Sequence, residues 1–229
     1  MTCLTQHSAI TRLSYGGRER KVLSQDATLS EVFAGAAADA SALGFVLSQL
    51  PEKDAPILWV QDRVTRLESG VPYLHGMSNV TLIQISVSRA QDALWALEEG
   101  LRSSALRAVV GEIWGDPKAL SFTATKRLAM RAEASGVPCW LVRRAAAANL
   151  SAARDRWRLN SLPSAPNPHD SHAPGDARWQ ADLFRTRRGK PTQWVATHER
   201  ATDRVYLSAA SVDQQMATGD GAHRQRAAR

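Results

Sequence analysis

The stretch Glu31–Ser41 (EVFAGAAADAS) carries residue types and a spacing that point to phosphate chemistry. It lies where a short strand over 30–34 gives way to a helix over 38–50, the junction at which a phosphate-binding loop is built. Laid on the pattern G-x-x-x-x-G-K-[ST], its key positions are Ala34, Asp39, Ala40 and Ser41. In a working loop the first glycine permits a tight turn and the second lets backbone N–H groups face phosphate. The lysine neutralises the β/γ charge. Here only the Ser41 hydroxyl keeps its type. Ala40 removes the cation, and Asp39 sets a negative charge beside the phosphates. The expectation is a loop that no longer supports nucleotide hydrolysis, a chain that is not an enzyme, and no cofactor.

Other residues for chemistry are sparse. No Ser-His-Asp or Cys-His arrangement follows from spacing, and no Cys/His cluster has zinc-ligand spacing. His169 and His172 have no third ligand nearby and read as part of a solvated, Pro-rich loop. Glu98-Glu99 reads as a solvated helix face.

Charge is placed unevenly. Residues 1–142 balance 14 Lys/Arg against 14 Asp/Glu, and residues 143–229 hold 15 Lys/Arg against 8 Asp/Glu, so the whole net charge of +7 lies in the C-terminal part. The bursts are Arg143-Arg144, then Arg154, Arg156 and Arg158, then Arg178, then Arg185, Arg187, Arg188 and Lys190. Arginine's planar fork suits phosphate and carboxylate oxygens. Trp157, Trp179 and Trp194 are interleaved with these arginines. Basic residues with aromatics grip single-stranded nucleic acid in many proteins. Tryptophans at such positions also pack the inner face of a sheet, and that reading is favoured for each of them. The basic cluster is expected to meet a polyanion or an acidic partner.

The elements that must position these residues alternate. Apolar runs at 57–60, 80–87, 107–113 and 137–142 read as strands. Helical spacing falls at 38–50, with Ala42, Phe45, Val46 and Leu50 inward. A second helix follows Ser88, with a capping box to Gln91 and a core stripe of Ala90, Leu94, Leu97 and Leu101. A third covers 122–135, closed by Gly136. Strands separated by helices argue for βαβ units and a parallel sheet. Residues 161–177 hold four prolines and read as a mobile loop. Arg178–Thr186 and Thr192–His198 read as a hairpin around 187–190, and 203–207 as an edge strand. Residues 1–13 and the basic tail 211–229 read as disordered, leaving a single domain over 14–210.

Six blocks carry a resemblance: SEVFAGAAADASALGF (30–45), PILWVQ (56–61), SRAQDALWALEEGLRSSALRAVVGEI (88–113), TKRLAMRAEASGVPCWLVR (125–143), SAARDRWRL (151–159) and RWQADLFRTRRGKPTQW (178–194). In this order they resemble RecA-like proteins, and within them the ImuA family, RecA-related proteins encoded in bacterial damage-inducible mutagenesis cassettes. The resemblance spans residues 29–208. It implies an α/β fold: a RecA-like core whose mostly parallel central β-sheet is flanked by helices, followed by a C-terminal antiparallel hairpin. Glu112 ends the apolar run Ala108–Glu112, where the RecA-like fold carries a Walker B carboxylate that holds Mg²⁺ through water. Without the loop lysine, Glu112 is read instead as capping the next helix or meeting solvent.

The resemblance also implies a role: a non-catalytic accessory of SOS-induced, error-prone translesion DNA synthesis. The partners it implies are ImuB, an inactive relative of Y-family polymerases, and an error-prone α-type DNA polymerase. Contact with RecA and with single-stranded DNA are further expectations. Two alternatives stand beside it. A SulA-like inhibitor of cell division would be shorter and lack the basic C-terminal half. A residual RecA-like ATPase would need the missing lysine.

With 229 residues, 44% of them hydrophobic, the chain can bury one substantial core, and no apolar run approaches membrane-spanning length. No basic start leads into an apolar stretch, so no secretory signal is expected. Cys3 and Cys139 are not expected to pair. The expected location is the cytoplasm, on the nucleoid after damage.

Overall fold

A computed structural model describes residues 13–15, 18–20, 27–73, 80–187, 189–202 and 204–209, the first two segments as backbone only. The segments expected to be disordered, 1–13 and 211–229, lie outside these residues except for Leu13, and so does Arg188. Two short strands, β1 (Leu13–Tyr15) and β2 (Arg18–Arg20), pair antiparallel.

The remaining strands form one nine-stranded sheet. In chain order they are β3 (Leu29–Ala34), β4 (Ile57–Asp62), β5 (Leu82–Val87), β6 (Ala108–Trp114), β7 (Cys139–Arg144), β8 (Asp155–Leu162), β9 (Ala177–Arg185), β10 (Thr192–Glu199) and β11 (Arg204–Ala209). Their spatial order is β11-β10-β9-β8-β3-β7-β6-β4-β5. From β8 to β5 every pairing is parallel, whereas β9, β10 and β11 add on antiparallel. The runs in β3, β4, β6 and β7 are nearly continuous in apolar residues because helices cover both faces of those strands.

The helices are α1 (Ser41–Gln49), α2 (Arg63–Ser69), α3 (Ala90–Gly100) and α4 (Phe122–Ser135). On one face α3 and α4 bury Leu94, Leu97, Leu128 and Ala132 against Leu29, Val109, Ile113 and Leu141. On the other, α1 buries Ala42, Phe45 and Val46 against Val32, Trp59, Val142 and Trp157. Trp157, Trp179 and Trp194 are all buried in this second core, so their role is packing. Phe45 lies 4.9 Å from Trp157, and Trp157 lies 5.8 Å from Trp194. Gly44 lets α1 close on Trp179, whose ring would sit 2.8 Å from any added Cβ.

The helix ends follow local chemistry. Ser121 caps α4, accepting from the Ala124 amide at 3.3 Å, and Gly136 ends it in the left-handed region at φ 71°, as its sequence position predicts. The capping box expected at Ser88 does not form. Arg89 is the residue before α3 and makes no side-chain cap. It pairs instead with Asp92 at 2.9 Å, which draws the acidic side chain of the first turn outward. Helix α1 begins at Ser41 rather than 38, because Ala36–Ala40 belong to the loop. Helix α2 was not anticipated. Asp62 makes it, accepting from the Thr65 amide at 2.7 Å as an N-cap. The Pro-rich loop between β8 and β9 is tied by an antiparallel bridge between Pro166 and Pro174.

Candidate functional site

The loop between β3 and α1 lies at the carboxyl ends of the parallel strands, where ligands of open α/β sheets bind. Protein groups occupy its interior. Arg144, the last residue of β7, is 2% exposed in its side chain. Its Nε donates to Glu112 Oε2 at 3.0 Å, and its Nη1 donates to the loop carbonyls of Ala37 at 2.7 Å and Asp39 at 3.0 Å. The loop therefore presents carbonyl oxygens to a buried cation, the opposite polarity to a loop that presents N–H groups to phosphate.

Asp39 supplies the matching anion. Its Oδ1 accepts from the Ser41 amide at 2.7 Å and from Ser161 Oγ at 2.7 Å, and its Oδ2 accepts from the Ser161 amide at 3.0 Å. The first amide of α1 thus meets the chain's own carboxylate, where a helix N-terminus would otherwise receive an external anion. Partial burial by itself would raise the Asp39 pKa. The hydrogen bonds from Ser41 and Ser161 outweigh it and hold the carboxyl below its ordinary value. Two further loop amides are engaged, Gly35 with Leu159 O at 2.7 Å and Asp39 with Ala36 O at 3.0 Å. Gly35 fits here because a Cβ would lie 2.9 Å from the Leu159 carbonyl oxygen. Ala40 offers no cap to α1, and Ser41 is buried.

Glu112 neither caps a helix nor meets solvent, in contrast to its sequence reading. It is fully buried, and besides Arg144 it accepts at Oε1 from Trp59 Nε1 and Gln61 Nε2, both at 2.8 Å. Strand register brings this about. Gln61 lies opposite Glu112 across β4 and β6, and Trp114 lies opposite Arg144 across β6 and β7. The sequence reading counts Arg144 only among the basic bursts and gives Trp59 and Gln61 no site role. The available signal was a basic doublet ending the buried strand CWLVRR, whose alternation sends two neighbouring side chains to opposite faces.

Arg143 goes to the other face, where Glu31 is the centre. Glu31 is fully buried and accepts from Arg156 Nε at 2.7 Å and Ser151 Oγ at 2.8 Å. Arg143 Nη1 lies 3.9 Å from Glu31, and its Nη2 donates to Asp116 at 2.7 Å and to Gly115 O at 2.9 Å. Burial draws the Arg143 pKa below its ordinary value, against the opposing pull of Glu31 and Asp116.

The residues expected to form one basic cluster are therefore divided. Arg156 is 4% exposed and held inside the fold. Arg154 is engaged by Glu133 of α4 at 2.7 Å. Arg158 is half exposed, sits 4.0 Å over the Phe184 ring and lies 3.6 Å from Asp182. Arg178 is half-buried, whereas Arg185, Arg187 and Lys190 are exposed around the β9–β10 turn. Among the described residues no group of three or more His, Cys, Asp or Glu could hold a metal ion, and no helix is long and apolar enough to cross a membrane.

At the end of the sheet away from β11, β5 pairs on one side only among the described residues. Beside it a groove of about 640 Å³ is lined by Leu58, Ile83, Ile85, Trp95 and Leu106. Trp95 is 66% exposed.

Sheet order and helix layers define a RecA-like α/β protein, in which an arginine and an aspartate of the chain engage the loop after β3. No family model matches the chain. The chain is similar to proteins named ImuA. It is similar to Protein ImuA from Caulobacter vibrioides, strains NA1000 and CB 15, at 29% identity over 177 residues, covering 73% of this chain and 70% of the relative.

Proposed function

We propose that this protein is a non-catalytic accessory of damage-induced, error-prone translesion DNA synthesis that works by holding partner proteins. The observation that carries the reading is the filled loop. Arg144 engages the Ala37 and Asp39 carbonyls and Asp39 engages the Ser41 amide, which supports reading the loop as one closed on itself and the protein as one not driven by a hydrolytic cycle. Kinship with ImuA supports the pathway. The partners in this reading are an ImuB-like inactive polymerase relative and an error-prone α-type polymerase, with RecA as a third. The exposed apolar groove beside β5 and the basic β9–β10 turn are surfaces suited to such contacts.

Two measurements on the full chain test this. Phosphate release from ATP should match a buffer control with and without single-stranded DNA. Capture of the ImuB-like protein should persist after nucleotide is removed with apyrase. Turnover that disappears in Glu112→Gln, or capture that requires ATP, would overturn the reading. In cells, loss of the gene should lower damage-induced mutation frequency, and the wild-type chain should restore it.

A further inference from the structure

Among the described residues β5 pairs with β4 alone, and it carries none of the features that close an edge. It reads LIQISV, six residues without charge, proline or glycine. Its parallel register with β4 runs unshifted from Leu82 opposite Ile57 to Val87 opposite Asp62, so no bulge turns it away. Monomeric proteins guard such strands with lysine, proline, a bulge or a cover. Helix α3 packs over β4 and β6 and leaves the outer flank of β5 open, which makes the groove of about 640 Å³. Ile83, at 45% exposure, and Trp95, at 66%, stand in it.

The groove admits one kind of strand. Ile83, Ile85 and Val87 line it, whereas Gln84 turns to the other face and donates to Gln61 at 3.2 Å. A strand added to β5 therefore needs apolar residues at every second position, and β5 itself has that pattern. A two-fold axis through Ile85, perpendicular to the sheet, sets two copies of β5 antiparallel. Ile85 then faces Ile85, Ile83 faces Val87 and Gln84 faces Ser86, so apolar meets apolar and polar meets polar. Charge selects the same occupant. The carboxylates of the groove, Asp92 and Glu99, are met by Arg89 at 2.9 Å and Arg102 at 3.3 Å. An isologous contact sets a surface against itself, and this one is neutral, so it does not repel its own copy. The excess of +7 lies in residues 143–229, whose strands β8–β11 stand at the other end of the sheet. Two copies joined at β5 keep those basic ends apart.

We infer that a second copy of this chain fills the groove, its β5 adding antiparallel to β5 so that the two sheets become one and the two Trp95 indoles roof the joined groove. Six residues of strand and one indole per copy fall short of the roughly 20–30 residues per side of a standard interface. The dimer is therefore weak and forms in the micromolar range. The inference does not depend on the accessory reading, and it leaves the basic β9–β10 turn free for other proteins.

Sedimentation velocity of the full chain across the micromolar range tests this. The weight-average mass should rise from that of one chain toward that of two and stop there, because a two-fold contact uses each edge once. The amides of β5 should gain protection from hydrogen exchange over the same range. Ile83→Lys sets a cation opposite Val87 in the joined groove, and Trp95→Ala removes the roof. Both positions are exposed in the single chain, so each variant should melt like the wild type at low concentration. Each should raise the dissociation constant by about ten-fold or more. A mass of one chain at every concentration, growth beyond two chains, or dimers that both variants form as readily as the wild type would overturn the inference. Protection of β5 that appears only on adding the partner of the capture assay, with the chain itself single, gives the edge to a different strand and overturns it too. Phosphate release from ATP should be the same in both variants as in the wild type, so the accessory reading stands or falls separately.

Discussion

Removing the Arg144 guanidinium tests whether it holds the loop. Arg144 makes three hydrogen bonds, one to Glu112 and two to loop carbonyls, with its side chain almost fully buried. Arg144→Ala leaves the Glu112 carboxylate buried with only Trp59 and Gln61 as donors, and leaves the carbonyls of Ala37 and Asp39 without this one. Breaking a buried pair from one side costs about 3–5 kcal/mol. Set against the roughly 5–15 kcal/mol of a whole domain, the variant should be marginal. Glu112→Gln strands the cation instead and should cost a similar amount. The pair Glu112→Leu with Arg144→Met removes both charges, so its cost should fall short of the sum of the single variants by at least about 1 kcal/mol. Urea unfolding measures this as a shift in midpoint at constant m. An Arg144→Ala penalty below about 1 kcal/mol with unchanged m would refute the claim that the guanidinium organises the loop. The same assay addresses nucleotide. A ligand at about 100 times its Kd adds about 2.7 kcal/mol, and millimolar Mg-ATP should leave the wild-type midpoint unmoved.

Two further outcomes follow from charges on either side of this core. Because the folded pKa of Asp39 lies below its unfolded value, its stabilisation is complete above about pH 4 and is lost as pH falls through the lower folded pKa. The stability gap between wild type and Asp39→Asn should therefore shrink in urea melts taken from pH 5 downward, and a gap independent of pH would contradict it. If the β9–β10 turn touches single-stranded DNA, replacing Arg185, Arg187, Arg188 and Lys190 by alanine should flatten the slope of log K against log salt by about two units or more. An unchanged slope in anisotropy titrations would assign these charges to a protein partner.

Alternation and helical spacing made most of the core legible. The run AVVGEI, the helix 122–135 with its closing glycine and the hairpin after residue 177 all lie where the pattern places them. The short helix α2 escaped because seven residues are too few for a periodic signal, and its cap Asp62 also ends a strand. The empty phosphate pattern could be read from Ala40 and Asp39. What fills it could not, because Arg144 lies over a hundred residues away and reaches the loop only through the crossover order of the sheet.

The C-terminal arginines show why composition alone misplaces function. Counted along the chain, they form one basic half. Sorted by the two-residue period of a strand, they separate by duty. Arg144 faces α1 and completes the loop. Arg143 and Arg156 face the other way and share Glu31. Three guanidiniums are thus drawn into the fold, each matched to a carboxylate, because an unmatched one could not be buried. Charge reversal at Arg154, Arg156 and Arg158 together would therefore report on folding, since Arg156 is internal. Of the sequence-picked cations, Arg187 and Lys190, exposed around the β9–β10 turn, are ones whose replacement can alter binding while the fold stands, whereas Arg185 also donates to the Ser151 carbonyl at 3.2 Å.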